Sequence, residues 1–182
     1  SPKVILHLFS GRRRQGDLQH WLEQLLPDMV WVISLDITLS RTHGDLTAHA
    51  TVSKWLSLLW TGQVVAVIAG PPCETWSVAR RSNLDQSPRL PRPLRSLAHP
   101  WGMPALRPRE LQQVAHGNAL LQTALLFYAT CLRTKVSMIL EHPSCPDWRD
   151  VASIWKLPEV VRLKEHSSST MVDLHQCAAG AP

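Results

Sequence analysis

With 182 residues, 45% of them hydrophobic, the chain is long enough for one domain with a substantial core, and no internal repeat divides it. Its net charge of +5, with a sequence pI near 9.4, favours a polyanion as partner. Cys73, Cys131, Cys145 and Cys177 show no Cys-x-x-Cys spacing, which argues against a zinc ribbon and a disulfide framework and for a reducing, intracellular setting; the lack of any run of eighteen apolar residues argues against a membrane partner.

In chain order, Ile5-Leu6-His7-Leu8-Phe9 reads as a first strand that ends in Ser10-Gly11. Leu18, Trp21, Leu22, Leu25 and Leu26 follow at helical spacing, so a helix is expected over 17–26 with Asp17 as its N-cap. A second strand from Val30 to Leu35 delivers Asp36, and a second helix is expected from Ala50 to Trp60, closed by Gly62. The run Val64-Val65-Ala66-Val67-Ile68 then opens into Ala69-Gly70-Pro71-Pro72-Cys73-Glu74-Thr75-Trp76-Ser77. Two prolines fix φ and remove two backbone donors, so Cys73 stands on a stiff loop at the carboxyl end of a buried strand, where open α/β sheets place their chemistry.

Residues 78–108 form a basic, proline- and arginine-rich loop. A long helix from Pro108 to about Thr134 leads to the strand Val136 to Leu140, which carries Glu141 at its end and is stopped by Pro143. A short helix at 149–155 and strands at 160–163 and 171–175 complete the expected sheet, and Trp55, Trp60 and Trp155 fall at helical positions that read as core. Strands alternating with helices predict an α/β fold with a mostly parallel, doubly wound sheet. Ser1 and the end at Pro182 read as the limits of an excised domain, expected to be a monomer or part of a larger polypeptide. The nine histidines are scattered without ligand spacing, so no metal is expected.

The order of these features resembles the DNA cytosine-5 methyltransferase family along almost the whole chain. Ile5-Leu6-His7-Leu8-Phe9-Ser10-Gly11 is similar to its first motif, the acidic residue ending its second strand corresponds to Asp36, and Gly44-Asp45-Leu46 looks like its Gly-Asp-Ile motif. Pro72-Cys73-Glu74-Thr75-Trp76-Ser77 resembles Pro-Cys-x-x-Phe-Ser, and Glu141-His142-Pro143 is close to the Glu-Asn-Pro variant of mobile-element and phage relatives. The segment from Val172 to Pro182 looks like the Tyr-Cys-x-Tyr-Gly-x-Pro segment of those relatives. Three departures stand out. Gly11-Arg12-Arg13-Arg14-Gln15-Gly16 replaces the family's glycine-rich turn, His142 replaces its usual Asn, and no target-recognition domain is visible.

The resemblance implies a class I S-adenosylmethionine-dependent methyltransferase, Rossmann-like, acting on C5 of cytosine in DNA. It implies Cys73 as the nucleophile that attacks C6, and Glu141 as the carboxylate that holds the base through N3 and the exocyclic amine. For S-adenosylmethionine it implies Phe9, Ser10, Gly11, Asp36, Asp45 and Pro71, with Asp36 on the ribose hydroxyls and Asp45 on the adenine amine. Each has a plainer alternative. Cys73 reads also as a small buried hydrophobe in a tight turn, Asp36 as a helix or turn cap, Asp45 as an Asx turn and Phe9 as core.

For the nucleic acid, Ser77, Arg80, Arg81 and Arg89 are the expected contacts, within a run that also holds Arg92, Arg95, Arg107 and Arg109 against the single acid Asp85. The alternative is a solvated insertion. Arg12-Arg13-Arg14 opposes the macrodipole of the helix it precedes, a placement that an anionic partner would relieve. The localisation expected for such a protein is intracellular, and nuclear in a eukaryote. Two rival functions remain open: a degenerate methyltransferase-like domain that binds nucleic acid without catalysis, since the altered element is the glycine turn, and an RNA cytosine-5 methyltransferase using the same Cys73 and Glu141 chemistry.

Overall fold

A computed structural model describes residues 2–77, 80, 92–145 and 151–174. Its strands are β1 (Lys3–Leu8), β2 (Val30–Leu35), β3 (Val64–Ala69) and β4 (Ser137–Leu140), all parallel in the order β2-β1-β3-β4. The helices are α1 (Leu18–Leu25), α2 (Arg41–Gly44), α3 (His49–Leu59), α4 (Pro108–Thr134) and α5 (Pro158–Lys164). This α/β architecture with an all-parallel sheet is compatible with a Rossmann-like fold. Among the described residues no helix is long and apolar enough to cross a membrane.

The core follows from the period-2 pattern of the strands. Leu6 and Leu8 of β1, Leu35 of β2, and Val67 and Ala69 of β3 turn one way and pack in one cluster with Trp55 and Leu59 of α3 and Leu120, Phe127 and Cys131 of α4. Each fully buried leucine or phenylalanine there contributes about 1.5–3 kcal/mol. A second cluster joins Leu121 and Leu125 of α4 to Trp76, Ala152, Ile154, Leu157 and Val160. The long helix is thus a shared wall, with the sheet on one side and the loop after Cys73 on the other.

The helix signals at 17–26 and 108–134 hold. Asp17 accepts from the His20 N–H as N-cap, and α4 runs over the expected residues with Pro108 in its first turn. Two expected strands do not form. Residues 160–163 lie in α5, because Pro158 opens the first turn with Glu159 beside it and Arg162 and Lys164 close the last, helix signals that outweigh the β-branched pair Val160-Val161. Residues 171–174 are exposed and irregular, and 175 lies outside the described residues. Of the helix expected at 149–155, residues 149 and 150 lie outside the described residues, 151–153 are irregular, and Ile154–Lys156 is a single 3₁₀ turn. Trp55 is core, but Trp60 is 63% exposed as the C-cap of α3, past the last turn that faces the sheet. Trp155 is half-buried and donates its indole N–H to the Pro143 carbonyl at 2.9 Å.

Candidate active site at the carboxyl ends of the strands

The strand registers pair Leu35 with Leu8, Leu8 with Ala69 and Ala69 with Leu140. The next residue on each strand therefore falls in one row at the carboxyl edge: Asp36, Phe9, Gly70 and Glu141. With neighbouring strands about 4.8 Å apart, the row spans about 14 Å. Four expected site positions or their immediate neighbours are thus brought to one edge by backbone pairing alone.

Glu141 donates its backbone N–H to the Ala69 carbonyl at 2.9 Å, extending the β3–β4 ladder by one residue. Its carboxylate lies over the root of the Cys73 loop, since a Cβ added to Gly70 would stand 3.1 Å from Glu141 Oε2. Past Gly70, Pro71 is buried and Cys73 half-buried. The Trp76 N–H donates to the Cys73 carbonyl at 2.8 Å and closes a tight turn over 73–76. Burial pushes the Cys73 thiol up, and the Glu141 and Glu74 carboxylates push it further the same way. The thiol is therefore protonated at neutral pH, in the electrostatic neighbourhood of Glu141.

The first turn has a different character. Phe9 and Gly11 both adopt positive φ, 59° and 68°, and the Phe9 and Ser10 N–H groups donate to the Leu35 carbonyl, so the turn is tied to the end of β2. Gly11 N–H donates to Asp36 Oδ2 at 3.0 Å, while Asp36 Oδ1 accepts from the Thr38 N–H and hydroxyl at 2.8 and 2.7 Å. Burial opposes the charge on Asp36, but these hydrogen bonds win and hold its carboxyl below the usual range. Three of its roughly four acceptor positions are used, leaving room on Oδ2 for one further donor. Ser10 and Phe9 are half-buried, and the Ser10 hydroxyl donates to the neighbouring Gly11 carbonyl at 3.2 Å.

Gly44 passes against the same strand end so closely that a Cβ would lie 2.0 Å from the Asp36 carbonyl oxygen, which explains a glycine at this position. The neighbouring Asp45 caps its own turn: Oδ1 accepts from the Thr47 hydroxyl at 2.6 Å and N–H at 3.0 Å. Those bonds keep its carboxyl below the usual range.

The basic run divides. Arg81 and Arg89 lie outside the described residues. Arg80 donates Nε to the Glu74 carbonyl at 2.7 Å, which sets it beside the Cys73 turn, and Ser77 lies half-buried close by; both line a small cleft with Thr75, Trp76, Pro93 and Leu94. Arg92 is paired with Glu110. Arg95 is buried, 2% exposed, and forms part of the wall of the same cleft. Upstream, Arg13 of the Arg12-Arg13-Arg14 cluster pairs with Asp17 at 2.6 Å, so one of the three cations before α1 is paired within the chain.

His142, which the sequence marks only as a replaced Asn, is a further participant. It is buried at 9% exposure, its Nδ1 has no hydrogen-bond partner, and its ring meets Trp76 and Trp155 edge to face at 6.2 and 6.5 Å. Burial, with Arg95 nearby, pulls its pKa down to about 4, so it is neutral at physiological pH. A histidine following a strand-end carboxylate was the available signal; its packing against Trp76 is a tertiary fact.

No protein-family model matches this chain, and neither a curated protein nor a solved structure matches it.

Proposed function

We propose that the chain is an S-adenosylmethionine-dependent methyltransferase of class I, Rossmann-like, acting on C5 of cytosine in DNA through a covalent adduct to Cys73. The observation that carries this reading is the meeting of two candidate groups: Glu141 reaches over Gly70 at the foot of the loop that presents Cys73, at the carboxyl edge of a parallel sheet. The residues that would hold the cofactor are Phe9, Ser10, Gly11, Asp36, Asp45 and Pro71. The free position on Asp36 Oδ2 fits one ribose hydroxyl. When bound, S-adenosylmethionine supplies an electrophilic methyl group.

Cytosine inside a duplex hides C5 and C6, so the base is flipped out or single-stranded when it meets the site. Cys73 Sγ adds to C6 as thiolate, which places the electron pair of the C5–C6 bond on C5 for methylation. The C5 proton then passes to water, its electron pair re-forms the C5–C6 double bond, and the C6–S bond breaks to release the thiolate. Glu141 holds N3 and the exocyclic amine, stabilising the charge that develops on the base. The proton that Cys73 gives up on adding to C6 is balanced by the one taken up between N3 and Glu141, so the negative charge that opposes the thiolate is removed as the adduct forms.

A second reading draws on Asp36, three of whose acceptor positions are engaged by Gly11 and Thr38. A domain whose cofactor crevice is satisfied internally binds nucleic acid without methylating it. RNA is an alternative acceptor for the same Cys73 and Glu141 chemistry.

The first experiment is a calorimetric titration with S-adenosylhomocysteine, with Asp36→Ala as control. Binding that the control loses supports methyl transfer; no binding by folded protein supports the second reading. Incubation with C5-fluorinated cytosine DNA or RNA and S-adenosylmethionine then identifies the acceptor. Without a C5 proton to lose, the Cys73 adduct persists and shifts the mass of the protein.

A further inference from the structure

Arg95 stands out among the described residues as the only Arg, Lys, Asp or Glu that is buried. Burial pulls its guanidinium down to about 10, so it is charged at neutral pH. Its planar fork is distributed over oxygens from three segments. Nε and Nη2 donate to Thr75 Oγ1 at 3.1 and 3.0 Å, Nη1 donates to Asn118 Oδ1 at 2.7 Å and to the Pro100 carbonyl at 2.8 Å, and Nη2 reaches the Val114 carbonyl at 3.4 Å. The guanidinium carbon lies 4.0 Å from the centroid of the Trp76 ring.

The seat for this group is cut into α4. A Cβ on Gly117 would stand 3.1 Å from Thr75 Oγ1 and 3.3 Å from Arg95 Nη2, so a residue with a side chain there presses on both partners of the bond. Thr75 and Trp76 are the last two residues of the turn that the Trp76 N–H closes onto the Cys73 carbonyl. Arg95 therefore holds one side of the Cys73 turn against the long helix, and the same Trp76 ring meets His142, next to Glu141, edge to face at 6.2 Å.

Packing alone does not call for an arginine at this place. An apolar side chain of similar length fills the volume without the several kcal/mol of desolvation that a buried cation costs. What arginine adds is a rigid fork of five donors, which fixes direction as well as distance.

We propose that Arg95, seated in the notch left by Gly117, is a positioning residue that latches the Thr75-Trp76 side of the turn to α4 and so sets the exposure and aim of the Cys73 thiol. The proposal rests on Cys73 as the reacting group, and its test needs no methyl transfer. Alkylation of the full chain by iodoacetamide is followed residue by residue by mass spectrometry in Arg95→Met, Arg95→Lys and the milder Gly117→Ala. The Cys73 rate is expected to rise at least about fivefold in all three, equivalent to about 1 kcal/mol of local opening, while Cys131 and Cys145 stay at their original rates.

Arg95→Lys keeps the charge and loses the fork, so it is expected to behave as Arg95→Met. An unchanged Cys73 rate in folded Gly117→Ala and Arg95→Lys overturns the proposal. So does a parallel rise at Cys73, Cys131 and Cys145, which marks general loosening of the core. Failure of the cofactor titration leaves these thiol rates intact as a separate result, so the two readings fail separately.

Discussion

Cys73 sits where burial, then the Glu141 and Glu74 carboxylates, oppose its ionisation. Removing one of those charges in Glu141→Gln is expected to move the pH midpoint of Cys73 alkylation downward, which a rate-against-pH profile reads directly. If methyl transfer occurs, Cys73→Ala and Glu141→Ala each lower its rate by at least about a thousandfold with folding intact, as loss of a nucleophile or its partner does; retained transfer by folded Cys73→Ala refutes the covalent route. His142 supplies a stability signature. It is buried neutral with a pKa of about 4 against an ordinary 6.5, so the unfolded chain binds the extra proton between those values. Stability is therefore full above pH 6.5 and falls as pH drops toward 4, by an amount on the order of 3 kcal/mol. Denaturant titrations across that window should show the loss in the parent and a flatter profile in His142→Phe.

At the scale of elements, the carboxyl edge depends on close backbone packing. Gly44→Ala would drive a Cβ to 2.0 Å from the Asp36 carbonyl oxygen, where backbone and not a flexible side-chain tip must move. The expected cost is at least about 2 kcal/mol, read as a lowered denaturation midpoint, in the range of forced overpacking. Gly70→Ala meets only the tip of Glu141 at 3.1 Å, so it is expected to displace that carboxylate with little effect on the same midpoint. Helix α4 was legible from Pro108 to its end because its signals are local: a proline in the first turn and apolar spacing throughout. The helix at 158–164 was not, because Val160-Val161 looks like a strand until Pro158 and the charged ends are weighed with it. The Cys73 loop was legible as stiff from its two prolines, whereas its attachment to α4 through Arg95 and Gly117 joins residues twenty and more positions apart.

For the molecule as a whole, the charge of +5 leads to a prediction about nucleic acid. If Arg80, Arg81 and Arg89 touch phosphate, replacing them together weakens DNA binding at low salt and makes the dependence of log affinity on log salt shallower by about one for each phosphate no longer neutralised. Replacing Arg92, which is held by Glu110, is expected to leave that slope nearly unchanged, and filter-binding or anisotropy titrations over a salt series separate the two. By itself the sequence determined the alternation of strands and helices as far as β4, the placing of Cys73, Glu141 and Asp36 just past strand ends, and the stiffness of the loop after β3, because periodicity, prolines and caps act over a few residues. The tertiary structure alone decided that the strands stand in the order β2-β1-β3-β4 with their ends level, that Asp36 bonds Gly11, that Glu141 lies over Gly70, and that Arg95 is buried beneath Trp76. These depend on register and on contacts between distant segments, for which no local pattern of residues carries a signal.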